Sequence, residues 1–288
     1  MPLTVAANDP LAISLTLRAT AKAIRRHWEG CQSLLDDWGG TTFVDIKVIV
    51  KLRRWIPSLS SYFLAIIGPK TTAAQSVGNQ VAAVVASFAA QAGAPLIHAS
   101  CSSSVDGPEG YVHLSEKECL SNLVTSLVGQ LVDILPDDCN VNEDLSLSKL
   151  DGTEQHWSLA MHALSTLLGA ASSPLFCIID NWQSIEDPFG DNERLLELLQ
   201  TFKEHSARCK ASPYPRSLKV LITTSGRSHS LMDTFDSKNI ILADQLSGCE
   251  TPDNLKAGQS LLSPRFMQSF ANMSTDEPGE TDSEPEGT

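Results

Sequence analysis

Short apolar runs alternate with helical patterns along the middle of the chain. Short, mostly apolar runs lie near residues 63–67, 96–99, 175–179, 218–223 and 239–242. Between these runs, apolar residues recur at spacings of three and four, as they do along one face of a helix. A strand that is covered on both faces carries apolar residues at every position, which is typical of parallel sheets. The alternation therefore predicts an α/β fold with a parallel five-stranded sheet and helices on both faces.

The N-terminal part of the chain follows a helical pattern instead. One helix is predicted to end at Gly39-Gly40, because glycine commonly terminates helices. A second, shorter helix is predicted from about Asp45 to Trp55, since Pro57 cannot continue it. The apolar face of the first helix consists of Leu17, Ile24, Trp28, Cys31, Leu35 and Trp38.

Three segments are predicted along the chain. Residues 1–56 form an N-terminal helical segment, residues 57–247 the α/β domain, and residues 248–288 an irregular segment that ends in an acidic tail. The tail, from Ser274 to Thr288, offers no apolar surface to offset the entropy lost on ordering. We therefore expect it to be disordered and to make no contact with the core. It contains no base and six acids: Asp276, Glu277, Glu280, Asp282, Glu284 and Glu286.

The charge and the apolar content narrow the classes of partner. Hydrophobic residues make up 42% of the chain and charged residues 19%, which is ordinary for a globular protein. The net charge is -13, and an acidic balance argues against a nucleic-acid partner, which needs a basic surface. Two basic clusters, Arg25-Arg26 and Lys51–Arg54, lie in helical patterns and are interpreted as solvated helix faces.

Cysteine spacing and the apolar runs indicate the compartment. Seven cysteines lie far apart and none forms a C-x-x-C pair, so reduced thiols in a cytoplasmic protein fit best. The N-terminus shows no basic region followed by an apolar run, as a signal peptide would. The longest apolar stretch, Val81 to Ala99, is broken by Gln91, Gly93 and Pro95 and is interpreted as a helix and then a strand. We therefore expect a cytoplasmic protein with no membrane partner.

Three predicted strands end in residues of types that bind ligands or metal ions. The first strand ends at Gly68-Pro69 and leads into a helix, the third ends at Asp180, and the fourth ends in Thr-Thr-Ser-Gly-Arg, where the last residue is Arg227. Ligands of wound α/β sheets bind beyond such carboxyl ends. Between about residues 52 and 242, this order resembles the STAND-class, NACHT-like P-loop NTPases that are abundant in fungi.

The resemblance implies both an architecture and an activity. It places the Gly68 strand centrally, next to the Arg227 strand, with the Asp180 strand on that neighbour's far side. The family's activity is a nucleotide-driven switch, in which Asp180 would hold magnesium through water and Arg227 would read the γ-phosphate. From the residues alone, Asp180 is equally interpreted as a helix cap or turn residue, and Arg227 as a solvated loop residue.

The phosphate loop departs from the family's pattern. That pattern, G-x-x-x-x-G-K-[ST], binds phosphate through backbone amides and the lysine, and magnesium through the hydroxyl. Counted from Gly68, this chain reads Gly-Pro-Lys-Thr-Thr-Ala-Ala-Gln, so only Gly68 and Pro69 match. One extra loop residue would make Ser76 the magnesium hydroxyl. The positions of the second glycine, the lysine and the hydroxyl are occupied by Ala73, Ala74 and Gln75.

These departures predict a pseudo-NTPase that acts as an interaction or regulatory module with a protein partner. Gln183 and Ser184 stand where the family has the acids that orient water, so no catalytic residue is assigned. We expect no cofactor, or ATP or GTP with magnesium if the site survives. The alternatives are an active STAND-type NTPase with an atypical phosphate loop, and a truncated gene product without function. The vestigial site consists of Gly68, Pro69, Ser76 and Arg227 for the cofactor and Asp180 for the metal.

Overall fold

The computed structural model describes most of the chain between residues 42 and 267. The described residues are 42–58, 62–70, 76–101, 104–107, 110–136, 145–171, 174–187, 190, 192–211, 217–243, 259–263 and 265–267. Three predicted features therefore lie outside the described residues: the helix that ends at Gly39-Gly40, the loop residues Ala73, Ala74 and Gln75, and the tail from Ser274.

The described residues form strands and helices in alternation. The strands are β1 (Thr42–Asp45), β2 (Tyr62–Gly68), β3 (Leu96–Ser100), β4 (Ser104–Gly107), β5 (Gly110–His113), β6 (Leu175–Asp180), β7 (Leu218–Ser225), β8 (Ile240–Leu242) and β9 (Gln259–Leu262). The α-helices are α1 (Ile46–Trp55), α2 (Val77–Gln91), α3 (Glu116–Ile134), α4 (Trp157–Ala170), α5 (Glu193–Ala211) and α6 (His229–Thr234). None of these helices is both long and apolar enough to cross a lipid bilayer.

The five predicted strands form one parallel sheet in the order β3-β6-β7-β2-β8. Strand β2, which ends at Gly68, pairs with β7, and β6, which ends at Asp180, lies on the far side of β7. The predicted neighbour relations are therefore confirmed. The middle position belongs to β7 rather than to β2, which is flanked by β7 and β8.

Helices cover both faces of this sheet, which makes the fold three-layered. In β2, Phe63 and Ala65 join the core formed with α3, α4 and α5, whereas Leu64 and Ile66 join the core formed with α1 and α2. Burying one such aliphatic or aromatic side chain contributes about 1.5–3 kcal/mol. Because both faces are buried, every position of the strand is apolar, as the sequence predicted. The architecture is thus a three-layer α/β fold, with a parallel five-stranded sheet between two layers of helices.

Local signals at the helix starts are confirmed. The Asp45 carboxylate accepts a hydrogen bond of 2.8 Å from the Lys47 amide and caps α1. The pattern Ser115-x-x-Glu118 predicts a capping box. The structure has this box at the start of α3, where the Ser115 backbone amide donates to the Glu118 carboxylate at 2.9 Å. Helix α1 buries Val48, Ile49, Leu52 and Trp55 in the α1–α2 core, together with strand β2.

Two short pairings were not predicted. Strands β4 and β5 form an antiparallel hairpin after β3, in a part of the chain without one of the predicted apolar runs. Strand β9 pairs antiparallel with β1, so that Val44 lies opposite Ser260. The chain after residue 247 was predicted to be irregular, and that prediction is wrong for Gln259–Leu262. A four-residue strand held by backbone hydrogen bonds leaves almost no periodic pattern in the sequence.

Candidate functional site

The candidate site lies where strands β2, β6 and β7 end at the same edge of the sheet. Gly68 lies opposite Ser225 in the pairing of β2 with β7, and Asp180 lies opposite Ser100 in the pairing of β3 with β6. Helix α2 follows β2 and begins at this edge. The sheet topology therefore brings the sequence-predicted residues of three separate strands into one region.

Asp180 is buried at the end of β6. Its side chain points to the α1–α2 face, because Phe176 and Ile178, two and four positions earlier, lie in that core. The Asp180 carboxylate accepts a hydrogen bond from the Thr223 hydroxyl of β7. Burial raises the pKa of Asp180 to about 6, although the hydrogen bonds from Thr223 and from the Asn181 backbone act in the opposite direction. The carboxylate is therefore hydrogen-bonded within the protein, and its ionised form is less favourable than that of an exposed aspartate.

Ser76 starts helix α2 as its N-cap. Its hydroxyl accepts a hydrogen bond of 3.1 Å from the backbone amide of Asn79 and also contacts the Asn79 side-chain oxygen. Ser76 is therefore used in helix capping, which satisfies one of the otherwise unpaired amides of the first turn.

The first turn of α2 rests on the end of β7. A Cβ atom placed on Gly78 would lie 3.2 Å from the Thr223 Cβ and 3.4 Å from the Ser76 hydroxyl oxygen. Glycine at this position permits that close approach. The structure thereby brings Ser76, Thr223 and Asp180 together at the start of α2.

Gly226 shapes the turn that follows β7. The Gly226 amide donates a hydrogen bond of 2.8 Å to the Gly68 carbonyl, and its φ of +87° is in the left-handed region that favours glycine. A Cβ atom on Gly226 would lie 3.4 Å from the Lys70 Cβ. Gly226 is therefore the residue that joins the end of β7 to the end of β2.

Arg227 does not join Asp180 and Ser76. Its side chain is exposed beyond the Gly226 turn and makes no hydrogen bond or ion pair with the described part of the chain. Pro69 is half-buried directly after β2, and Lys70 is exposed. The cofactor-binding roles of Gly68, Pro69, Ser76 and Arg227 stay predictions, as does the metal-binding role of Asp180.

Gln183 is a site residue whose role the sequence did not reveal. Its side-chain oxygen accepts a hydrogen bond of 2.9 Å from the Ser225 amide and one of 3.1 Å from the Thr224 hydroxyl. Its amide nitrogen donates to the Asn181 side chain at 3.2 Å, and Asn181 in turn donates to the Ser100 hydroxyl at 3.0 Å. A polar chain therefore links the ends of β3, β6 and β7. The available signal was an asparagine directly after a predicted buried strand, because asparagine tolerates the left-handed conformation that Asn181 adopts, with φ of 58°.

The arrangement does not fit a magnesium ion as it stands. Magnesium prefers near-octahedral oxygen coordination by carboxylates, waters and phosphates. Here the Asp180 carboxylate accepts a hydrogen bond from the Thr223 hydroxyl, and the neighbouring Ser76 hydroxyl caps α2. Within the described ranges, no three His, Cys, Asp or Glu side chains are grouped as ligands of a metal ion.

The comparisons with known proteins do not assign the chain to a family. No model of a known protein family matches it, and no curated protein matches it. Among solved structures, it is similar to a chain of the structure of Drosophila ORC bound to poly(dA/dT) DNA and Cdc6, with 13% sequence identity and a TM-score of 0.33. The match covers 85% of this chain and 34% of that one, so this chain spans about a third of that protein's length. A likeness this slight carries no functional argument.

Proposed function

We propose that the chain is a P-loop NTPase-like domain that does not hydrolyse nucleotides and serves as a cytoplasmic interaction or regulatory module. One observation carries the proposal. The Asp180 carboxylate accepts a hydrogen bond from the Thr223 hydroxyl, and the nearby Ser76 hydroxyl caps α2. The two groups that this kind of fold would direct to magnesium are bonded within the protein. The STAND-class, NACHT-like relationship is part of the same proposal and rests on the sequence resemblance alone.

The chemistry of phosphoryl transfer supports this proposal. Such transfer depends on positioning and on stabilising negative charge, with little covalent work by the protein. Ala74 stands at the lysine position and brings no cation. Gln183 stands where a water-orienting acid would be, and its carbonyl oxygen is occupied by Ser225 and Thr224. The site therefore lacks the cation and the base that turnover needs.

A domain without turnover acts through its surfaces, so the expected ligand is a protein partner. The three-layer core supplies a rigid frame for such a role, since both faces of the sheet are closed by helices. No resident cofactor is needed to complete this core, because the Asp180 carboxylate already has a hydrogen-bond donor within the protein.

The proposal is tested by titrating the purified full chain with ATP and GTP, with and without magnesium, in a calorimeter and in a phosphate-release assay. We expect no hydrolysis above background. The triple change Ala73→Gly, Ala74→Lys and Gln75→Ser should create measurable nucleotide affinity, because it restores the amide cradle, the cation and the hydroxyl. Magnesium-dependent hydrolysis by the unmodified chain that is lost in Asp180→Ala would overturn the proposal.

A second candidate, an active NTPase with an atypical phosphate loop, is favoured by one observation. Ser76, Thr223 and Asp180 meet at the N-terminus of α2, where helix amides and the helix dipole favour an anion. Thr223→Val separates the two candidates, since it removes the hydroxyl that occupies Asp180. Under the second candidate, the unmodified chain binds nucleotide with magnesium, and the variant binds more tightly. Under the proposed function, neither form binds.

A further inference from the structure

Strand β3 lies at one edge of the five-stranded sheet and bonds to a strand, β6, on its inner side. The Phe176 amide donates to the Pro95 carbonyl at 2.9 Å, and the Cys101 amide donates to the Asp180 carbonyl at 2.8 Å. Backbone groups of successive residues in a strand point to opposite sides, so the odd positions from 95 to 101 face β6. The backbone amide and carbonyl of His98 therefore point to the outer side of β3.

The side-chain amide of Gln130 stands where a neighbouring strand would bond to His98. Its oxygen accepts a hydrogen bond of 2.8 Å from the His98 backbone amide. Its nitrogen donates to the His98 carbonyl at 2.8 Å and to the Ser126 hydroxyl at 3.1 Å. One side chain thus binds both backbone groups of a single residue, as a residue of an adjacent antiparallel strand would.

The packing of α3 holds Gln130 in this position. Leu127, one turn earlier on α3, is fully buried in the same core as Ile97 and Ala99 of β3. The half-buried Gln130 reaches the outer side of the strand from there. His98 is only 6% exposed, so water has little access to its backbone groups and a missing partner is costly.

We propose that Gln130 prevents this chain from dimerising through β3, by occupying the backbone groups to which a second copy would bind. Two β3 strands related by a twofold axis run antiparallel, and His98 of each copy would exchange both backbone hydrogen bonds with His98 of the other. Those are the two groups that Gln130 occupies. The strand itself, Leu96–Ser100, contains no Lys, Arg, Asp or Glu. It therefore lacks the charges by which edge strands commonly oppose pairing, and the protection depends on Gln130.

Hydrogen exchange of the full chain, read at the His98 backbone amide, tests the contact without any substitution. The amide should be protected in dilute solution, because its bond to Gln130 lies within one molecule. The protection should stay the same over a roughly hundredfold range of chain concentration, since mass action affects only contacts between molecules. An unprotected His98 amide in dilute solution would overturn the proposal, whether or not any variant folds.

Two variants of Gln130 test the dimerisation, with sedimentation velocity as the second readout. In Gln130→Ala the His98 amide should exchange roughly tenfold faster in dilute solution, because its partner is gone. At high concentration this variant should dimerise, and the amide should regain its protection. Gln130→Glu loses the same donor but places a charge at the edge, so it should sediment as the unmodified chain does.

The matched control is Gln200→Ala, which makes the same change at an exposed glutamine of α5 that bonds to Glu204. It should leave both the exchange of the His98 amide and the sedimentation unchanged. The proposal is overturned if Gln130→Ala folds but does not dimerise. It is also overturned if Gln130→Glu dimerises equally, because the association would then follow from lost stability and not from an open edge.

Discussion

Two ionisable side chains are buried on the same face of the sheet, at opposite ends of the strands. Asp180 closes β6 at the carboxyl edge, and Lys219 lies near the start of β7 at the amino edge. Burial disfavours the charged form of both. It raises the pKa of Asp180 to about 6 and lowers the pKa of Lys219 to about 8.

The difference between them is in what surrounds the charge. The Lys219 ammonium donates to the Trp55 carbonyl at 2.8 Å and to the Ser58 carbonyl, at the C-terminal end of α1, where a helix dipole favours a cation. Asp180 accepts one side-chain hydrogen bond, from a neutral hydroxyl. Lys219 thus holds α1 on the sheet, whereas Asp180 occupies a place where its charge is a cost to folding.

Removing Lys219 should have the largest effect. Lys219→Ala leaves two carbonyls without their donor and opens space in the core, so we expect a loss of about 3 kcal/mol in the free energy of unfolding. Lys219→Met keeps the stem and should lose about 1 kcal/mol. Urea unfolding at neutral pH measures both. Equal losses in the two variants would show that the ammonium, and not the packing of the stem, holds α1.

The same lysine gives a pH signature. Its folded pKa of about 8 lies below the ordinary 10.5, so the unfolded chain binds the proton more tightly. The free energy of unfolding of the unmodified chain, relative to Lys219→Met, should therefore rise between pH 8 and 10.5. A flat difference across this range would contradict the proposed burial of the charge.

Asp180→Asn should act in the opposite direction and less strongly. The folded pKa of about 6 lies above the ordinary 3.8, so the stability linked to Asp180 is present below pH 3.8 and is lost as the pH rises through 6. The asparagine variant should be more stable by about 2 kcal/mol at pH 7 and no more stable at pH 4. Thermal unfolding at the two pH values measures this. A destabilised variant at pH 7 would mean that the charge of Asp180 is compensated.

Ser76→Ala should have the smallest effect, a loss of about 1 kcal/mol for a missing N-cap. Ser76→Gly should lose only a few tenths of a kcal/mol, since glycine is tolerated as an N-cap. Chemical unfolding of the two variants compares them. If both are as stable as the unmodified chain, the Ser76 hydroxyl does not cap α2 and is available to a ligand.

Much of the fold follows from local pattern. The short, mostly apolar runs predicted all five strands of the sheet, because a strand buried on both faces has few polar residues. The capping box at Ser115 and Glu118 predicted the start of α3, since it depends on residues three apart in the chain. The neighbours of the Gly68 strand were predicted through the resemblance and are confirmed by the sheet order.

The candidate site was predicted as a set of residues but not as a set of contacts. The sequence indicated Gly68, Ser76 and Asp180, and the sheet places all three at one edge. The bond from Thr223 to Asp180 joins residues 43 positions apart and depends on the neighbouring positions of β6 and β7. No local pattern encodes such a contact, because a threonine in a buried strand has the same sequence environment whether or not a carboxylate lies opposite.

The sequence by itself determined the five strands of the parallel sheet and the helices between them, because apolar periodicity and capping act over a few residues. The tertiary structure alone decided that β1 pairs with β9 and that Lys219 reaches the end of α1. These contacts join residues more than 150 positions apart in the chain. They depend on where the sheet places each segment in space, and the local pattern of side chains does not specify that position.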